Sequence, residues 1–169
     1  MIIEDLNDAL GGYAWLQRNL ADALHSWRGA ESDAEVATFL HSTARRFEQH
    51  SAGWEALLAD SPALAASERV RPPSPGWEQL FDGAATETAE RLVVLIHVVL
   101  PRMLTSLERF AGHLGEVSEA EEQRFCAAVT TDLRAQQSRG VALLDQRTPA
   151  PSQRRLSAAL GRRLADLSC

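Results

Sequence analysis

Two histidines, His50 and His97, are the side chains best placed for acid/base chemistry, because each lies within an apolar helical pattern. His50 belongs to a series spaced by three and four residues across 36–57, and His97 interrupts the apolar run 92–100. Burial shifts the pKa of an imidazole, so either ring could act as a general acid or base. Glu90 lies two turns before His97 on the same helical face. We predict His50, His97 and Glu90 as the candidate catalytic residues.

Each of these histidines also has a structural interpretation. His50 could hydrogen-bond Thr43, Gln17 or a water inside the core and thereby fix the register of its helix. His97 lies four residues before Pro101, which has no N–H to donate to the His97 carbonyl. The helix is therefore expected to bend at this point, whether or not the imidazole has a function.

Aromatic and amide side chains near His50 suggest a ligand-binding site. Tyr13 and Trp54 lie on facing apolar seams, and the spacing from Leu10 to Leu24 turns Gln17 partly inward. An apolar lining with a few isolated polar groups is typical of a ligand pocket, and solid core packing is the alternative. The predicted ligand-binding residues are Tyr13, Gln17, Phe47, His50, Trp54 and Met103.

Four amphipathic helices must position these residues. Apolar residues recur at alternating steps of four and three along both of the first two segments, which is the seam of an antiparallel helix bundle. Capping boxes that begin at Ser32 and Ser118 predict the starts of the second and fourth helices. The predicted helices span about 2–28, 32–59, 84–113 and 118–146.

A long crossover and a basic tail complete the chain. Residues 60–82 contain four prolines, with a short helical turn expected around 77–81. The third helix is apolar on two faces, so either the tail or a second copy of the protein should cover its outer side. We predict a helical bundle over 1–146 and a basic amphipathic helix over 147–169 that packs on it.

The order of helix pair, crossover and helix pair is the topology of ferritin-like bundles. We therefore predict an all-α, ferritin-like antiparallel four-helix bundle with an extra C-terminal helix. A di-metal site in that fold needs glutamates and Glu-x-x-His motifs, but Phe47 stands three residues before His50, and Gln17 replaces a carboxylate. Asp132, a further carboxylate able to assist a histidine, is followed by Ala135 instead of a histidine. We predict no metal and no cofactor; a single-metal site is the alternative.

Three stretches of sequence, 11–16, 49–54 and 98–102, carry a family resemblance. They read Gly-Gly-Tyr-Ala-Trp-Leu, Gln-His-Ser-Ala-Gly-Trp and Val-Val-Leu-Pro-Arg. In these stretches the chain resembles uncharacterised ferritin-like helical proteins that are common in actinobacteria, over roughly residues 8–146. The resemblance implies a ferritin-like bundle whose members often lack the full metal set, and it implies no particular catalytic residue.

Composition excludes several functions. All 17 basic residues are arginine, so there is no lysine for a Schiff base or a phosphate-binding loop. Residues 1–146 hold 12 arginines against 22 acidic residues, which argues against nucleic acid as a partner. No apolar stretch approaches the roughly 20 residues of a membrane span, and acidic residues near the start disfavour a secretory signal. We predict a cytoplasmic protein that does not bind membranes.

The first hypothesis for function is a metal-free bundle that binds a small apolar molecule or a protein partner in its core. The alternatives are a small enzyme that uses a buried histidine as acid or base, and a structural protein that forms a homodimer through the third helix.

Overall fold

All regular elements that the structure describes are helices. The computed structural model describes residues 3–58, 66–73 and 87–163, and these residues form no strand. The prediction of an all-α chain is confirmed for these ranges. The helices are α1 (Ile3–Gly29), α2 (Ala34–Ala56), the short α3 (Ala66–Arg69), α4 with the successive segments Thr88–Val93, Val94–Val99 and Leu100–Ala111, α5 (Ala120–Asp145) and α6 (Ala150–Arg163).

Both predicted capping boxes are wrong, because the next residue in the chain takes the N-cap position each time. At the start of α2 the Asp33 carboxylate accepts from the backbone N–H groups of Glu35 at 2.9 Å and Val36 at 3.1 Å. Before α5, Ser118 donates its hydroxyl to Glu119, with 2.6 Å between the oxygens. Both helices therefore begin two residues later than the sequence predicts.

The four long helices, α1, α2, α4 and α5, pack around one apolar core. Helix α1 lies between α2 and α4, and α5 closes the opposite side between the same two helices. Contacts along each interface run in opposite chain directions, so neighbouring helices are antiparallel, whereas α2 and α4 run parallel across the core. The contacts that fix these directions are Ala14–Ser51, His25–His41, Thr43–Gln136, Gly53–Phe125, Leu107–Cys126, Ile96–Gln137, Tyr13–Ser106 and Glu31–Thr88.

Gly11 and Gly12 let the connection between α2 and α4 cross close to α1. A Cβ at Gly11 would collide with the backbone carbonyl of Arg69, and a Cβ at Gly12 would lie 3.2 Å from Pro73. Helix α1 continues through both glycines without a break. The glycines therefore serve close approach of the crossover, and the turn predicted at 77–81 lies outside the described residues.

The middle of α4 is a π-helical turn, Val94–Val99, which directly precedes Pro101. In a π-helix each N–H donates to the carbonyl five residues earlier, so Pro101 leaves the Ile96 carbonyl without a main-chain donor. The Gln137 side chain of α5 donates to this carbonyl, with 3.4 Å between nitrogen and oxygen. The sequence predicts that Pro101 leaves the His97 carbonyl without a donor; in the wider turn the carbonyl five residues before Pro101 is that of Ile96.

Arg147, just after α5, ties the end of that helix to the start of α2. Its guanidinium makes two hydrogen bonds to the Asp33 carboxylate, at 2.8 and 3.2 Å, and one to Glu35 at 2.7 Å. The Arg147 hydrogen bonds lower the pKa of Asp33 to about 2.

Helix α6, which follows Arg147, packs on the Thr88–Val93 and Val94–Val99 segments of α4. None of the described helices combines the length and hydropathy needed to cross a bilayer.

Candidate functional site

Aromatic rings from all four long helices meet inside the core, near the end of the bundle where α2 and α4 end and α5 begins. The ring centroids of Tyr13 and Trp54 are 5.2 Å apart, and Phe110 of α4 lies 5.4 Å from Tyr13. Phe125 of α5 meets Trp54 edge to face at 4.6 Å. The Tyr13 hydroxyl forms a hydrogen bond with the Ser106 hydroxyl, with 2.7 Å between the oxygens. The centre is thus a densely aromatic layer with a single hydroxyl pair inside it.

His50 pairs with a carboxylate from the neighbouring helix. Its Nε2 lies 3.1 Å from Oδ2 of Asp132 on α5, and the same oxygen is 3.4 Å from the Arg46 guanidinium. The His50 side chain is 7% exposed, while that of Asp132 is 38% exposed. The pair therefore links the buried core to the surface. The expectation that His50 would bond Thr43 or Gln17 is wrong, since its partner is Asp132 and Thr43 bonds Gln136.

The pairing with Asp132 defines the protonation of the imidazole. Burial lowers the pKa of His50 below its usual value of 6.5, and the hydrogen bond and charge of Asp132 oppose that shift only in part. Because an ionised carboxylate only accepts, Nε2 carries the proton. In the neutral ring Nδ1 then has a free lone pair, and this buried atom has no hydrogen-bond partner.

Gln17 is a second buried group with an unused nitrogen. Its side chain is fully buried, and its Oε1 accepts from the Trp54 indole at 3.2 Å, yet its Nε2 has no partner. Trp54 follows His50 by one turn of α2, and Ser51 of the same turn donates to the Ala14 carbonyl at 2.9 Å. Gln17 and His50 therefore occupy neighbouring levels of the α1–α2 interface.

Other polar side chains at this level of the core are satisfied. Thr43 is fully buried and donates to Oε1 of Gln136 at 3.0 Å. Phe47 and Met103 are fully buried and apolar. The unpartnered nitrogens of Gln17 and His50 thus stand out against surroundings that are otherwise paired or apolar.

His97 and Glu90 lie apart from this centre. His97 is half-buried and bonds Oε1 of Gln153 on α6 at 3.3 Å, whereas His50 faces α5. Glu90 lies in the first turn of α4, where its carboxylate accepts from the backbone N–H of Glu87 at 3.5 Å. The three predicted catalytic residues are therefore not brought together into one constellation.

Three of the pockets on the described part of the surface are lined by none of the six predicted ligand-binding residues. One of about 350 Å³ lies between α2 and α5, and one of about 380 Å³ lies between α4 and α6. The third, of about 230 Å³, lies near the start of α1. The first is lined by Glu35, Thr38, Phe39, Ser42, Arg139, Ala142, Leu143 and Gln146, and the third by Ile3, Leu6, Asn7, Leu57, Ser118, Glu119 and Glu122.

Metal-ligating residues do not cluster in the part of the chain that the structure describes. Within 3–58, 66–73 and 87–163, no group of three or more His, Cys, Asp and Glu side chains could hold a metal ion. Cys126 is buried and bonds the Leu107 carbonyl, and burial raises the pKa of its thiol. This thiol is therefore protonated and unreactive at neutral pH.

Sequence reasoning missed several partners of the candidate residues. The sequence presents Asp132 only as one of two carboxylates, with Glu90, that could assist a histidine. In the structure Asp132 is the hydrogen-bond partner of His50. Gln136, one turn further along α5, and Gln153 of α6 were not singled out. Both glutamines lie within the apolar stripes of their helices, and an amide in such a position needs a buried hydrogen-bond partner.

Comparison with protein-family models, with curated proteins and with solved structures finds no match for this chain.

Proposed function

We propose that this chain is a ferritin-like bundle that binds a small, mostly apolar molecule in its core beside His50. The bundle assignment is supported by the helix directions, because a parallel α2 and α4 require a connection that crosses the length of the bundle. The positions that would carry carboxylates in a di-metal bundle hold Gln17 and Phe47, which supports binding without a metal centre. A cytoplasmic location and a homodimer belong to the same proposal.

One observation carries the binding proposal: Gln17 Nε2 and His50 Nδ1 are buried without partners. Each buried polar group without a hydrogen bond costs about 1–3 kcal/mol, and native proteins contain few of them. The amide nitrogen is a donor, and Nδ1 of the neutral imidazole is an acceptor. A hydroxyl group both accepts and donates, so it could satisfy either of these atoms. The favoured ligand is therefore an apolar molecule with one hydroxyl, and the aromatic layer of Tyr13 and Trp54 would pack against its body.

Acid/base catalysis at His50 is the second candidate function. The observation in its favour is the His50–Asp132 hydrogen bond, which orients the imidazole and leaves Nδ1 free to take a proton from a bound hydroxyl. This second function would use the same ligand position and would add a catalysed reaction of the bound ligand. A protein partner in the core and a purely structural dimer have no comparable contact in their favour.

Phenol and toluene are a matched pair of probes for the proposal, because phenol carries a hydroxyl group where toluene carries a methyl group. Binding is measured by calorimetry and by the rise in unfolding temperature. We expect phenol to bind more tightly than toluene, because only phenol can hydrogen-bond to these nitrogens. His50→Leu should abolish this preference, whereas Thr43→Val, a change in a satisfied neighbouring pair, should keep it.

The contrary outcome is equally definite. If neither probe binds up to its solubility limit, or if both bind equally to the unchanged protein, the core is not a hydroxyl-binding site. A crystal structure with a single ordered water between Gln17 and His50, and no response to phenol, would give the two nitrogens a structural explanation instead.

A further inference from the structure

The cleft between α4 and α6 is built by the π-helical turn and anchored by one glutamine. Gln153 is only 7% exposed and uses its whole amide. Its Oε1 accepts from His97 at 3.3 Å, and its Nε2 donates to Asp145 at 3.0 Å and to the Thr148 carbonyl at 2.7 Å. This network joins α6 to α4 beside a cleft of about 380 Å³. The lining residues are His97, Ala150, Gln153, Arg154, Ser157 and Ala158.

Two side chains in this cleft have unused hydrogen-bond donors. Among the described residues, the Arg154 guanidinium has no carboxylate within ion-pair distance, and the Ser157 hydroxyl has no hydrogen-bond partner. Gln153 Nε2 has both hydrogens in use. An unpaired guanidinium with five N–H donors in a planar fork matches the two oxygens of a carboxylate.

The chain segment that forms one wall of the cleft is positively charged, as Arg154 is. Residues 148–163, which follow the paired Arg147, contain four arginines and no acidic residue. The nearest carboxylate along the chain is Asp145, and its Oδ1 already accepts from Gln153. The body of the protein is acidic, so this short basic segment is the part of the described surface best suited to attract an anion.

The walls of the cleft select among anions. Ala150 and Ala158 present methyl groups, so a hydrated inorganic ion would gain nothing from them, whereas a ligand with an apolar body would bury surface there. The volume lies within the range of about 300–1,000 Å³ that is typical of small-molecule sites.

We propose that this cleft binds a small organic carboxylate, with Arg154 as the charge partner of the carboxylate, Ser157 as an added donor and the alanine methyls against the apolar body. The site is separate from the His50 core and does not depend on the function proposed for it.

Benzoate is the probe, and benzamide is its neutral isostere. Binding to the full chain is followed by ¹H–¹⁵N NMR titration and by calorimetry at low salt. We expect benzoate to bind at least ten times more tightly than benzamide, with shifts confined to the amides of the α4 π-turn and of α6. Phosphate should bind more weakly than benzoate, because it gains nothing from the alanine walls.

Adjacent arginines supply matched variants. Arg154→Gln should weaken benzoate binding about tenfold or more, which corresponds to about 1.4 kcal/mol. Arg155→Gln removes the same charge one residue away, outside the cleft, and should change binding less than twofold. Ala158→Leu, at an exposed position of α6, should block the cleft without loss of fold by circular dichroism.

Three results would overturn the proposal. They are equal binding of benzoate and benzamide, an equal loss in the Arg154 and Arg155 variants, and no benzoate shift at millimolar concentration in the folded protein. Binding of phosphate as tight as that of benzoate would show a bare anion site and would contradict the role of the apolar walls.

Discussion

Removing the Asp132 carboxylate should destabilise the protein by leaving the Nε2–H of buried His50 without an acceptor. A hydrogen bond to a charged group contributes about 1.5–3 kcal/mol. Because the Asp132 side chain is 38% exposed and therefore screened by water, we expect about 1–2 kcal/mol for Asp132→Ala. For a chain of this size that is a fall of about 2–8 °C in unfolding temperature. Asp132→Asn should cost about half as much, because a neutral acceptor makes a bond about half as strong.

The pH dependence distinguishes this mechanism from general loss of packing. Asp132 opposes the lowering of the His50 pKa, so its removal should lower that pKa further while the unfolded value stays near 6.5. Below pH 6.5 the unfolded state then binds more protons than the folded state, and the variant should lose more stability than the wild type between pH 8 and pH 5.5. Urea unfolding at both pH values measures this.

Glu108→Ala is the control for Asp132→Ala. It removes an exposed ion pair between α4 and α5, in which Arg134 lies 2.8 Å from Glu108 and both side chains are more than half exposed, so it should cost no more than about 1 kcal/mol. The reasoning is refuted if Asp132→Ala costs no more than Glu108→Ala at pH 8, or if its cost is the same at both pH values.

Three further changes test the core. Wild-type stability should fall as the pH drops below about 6.5, because the pKa of His50 is lower in the folded state than in the unfolded state, so the unfolded state binds more protons on acidification. His50→Leu should flatten this pH dependence in urea titrations. Gly140→Ala should destabilise by about 1 kcal/mol, because its Cβ would lie 2.6 Å from buried Ile96, which outweighs the gain in helix propensity; higher stability in calorimetry would contradict this. Tyr13→Phe should cost about 1–2 kcal/mol in chemical unfolding, because buried Ser106 loses its partner at 2.7 Å; an unchanged midpoint would contradict this.

The long helices could be predicted from the sequence because burial of one face imposes a visible period. The seams of α1 and α2 place Gln17, Phe47, His50 and Trp54 inward, and all four are buried. The period does not reveal which group faces each of them. The partner of His50 depends on the rotation of α5 about its own axis, which its weak apolar stripe leaves open.

Local signals failed where a distant contact decides the outcome. The sequence favours Ser32 as the cap of α2, yet Asp33 caps it and also binds Arg147, more than 100 residues away in the chain. Pro101 correctly indicated an irregular α4. The Ile96 carbonyl in its π-turn accepts from Gln137 of α5, a bond that could not be predicted from α4 alone.

The protonation of His50 is the most direct measurement of the central claim. Two-bond ¹H–¹⁵N correlation NMR of the imidazole, followed through a pH titration, reports which nitrogen holds the proton and at what pH the ring is charged. We predict a neutral ring at pH 7 with the proton on Nε2, an unprotonated Nδ1 and a pKa below 6.5. A proton on Nδ1, or a ring already charged at pH 7, would contradict the buried His50–Asp132 pair on which the proposed site rests.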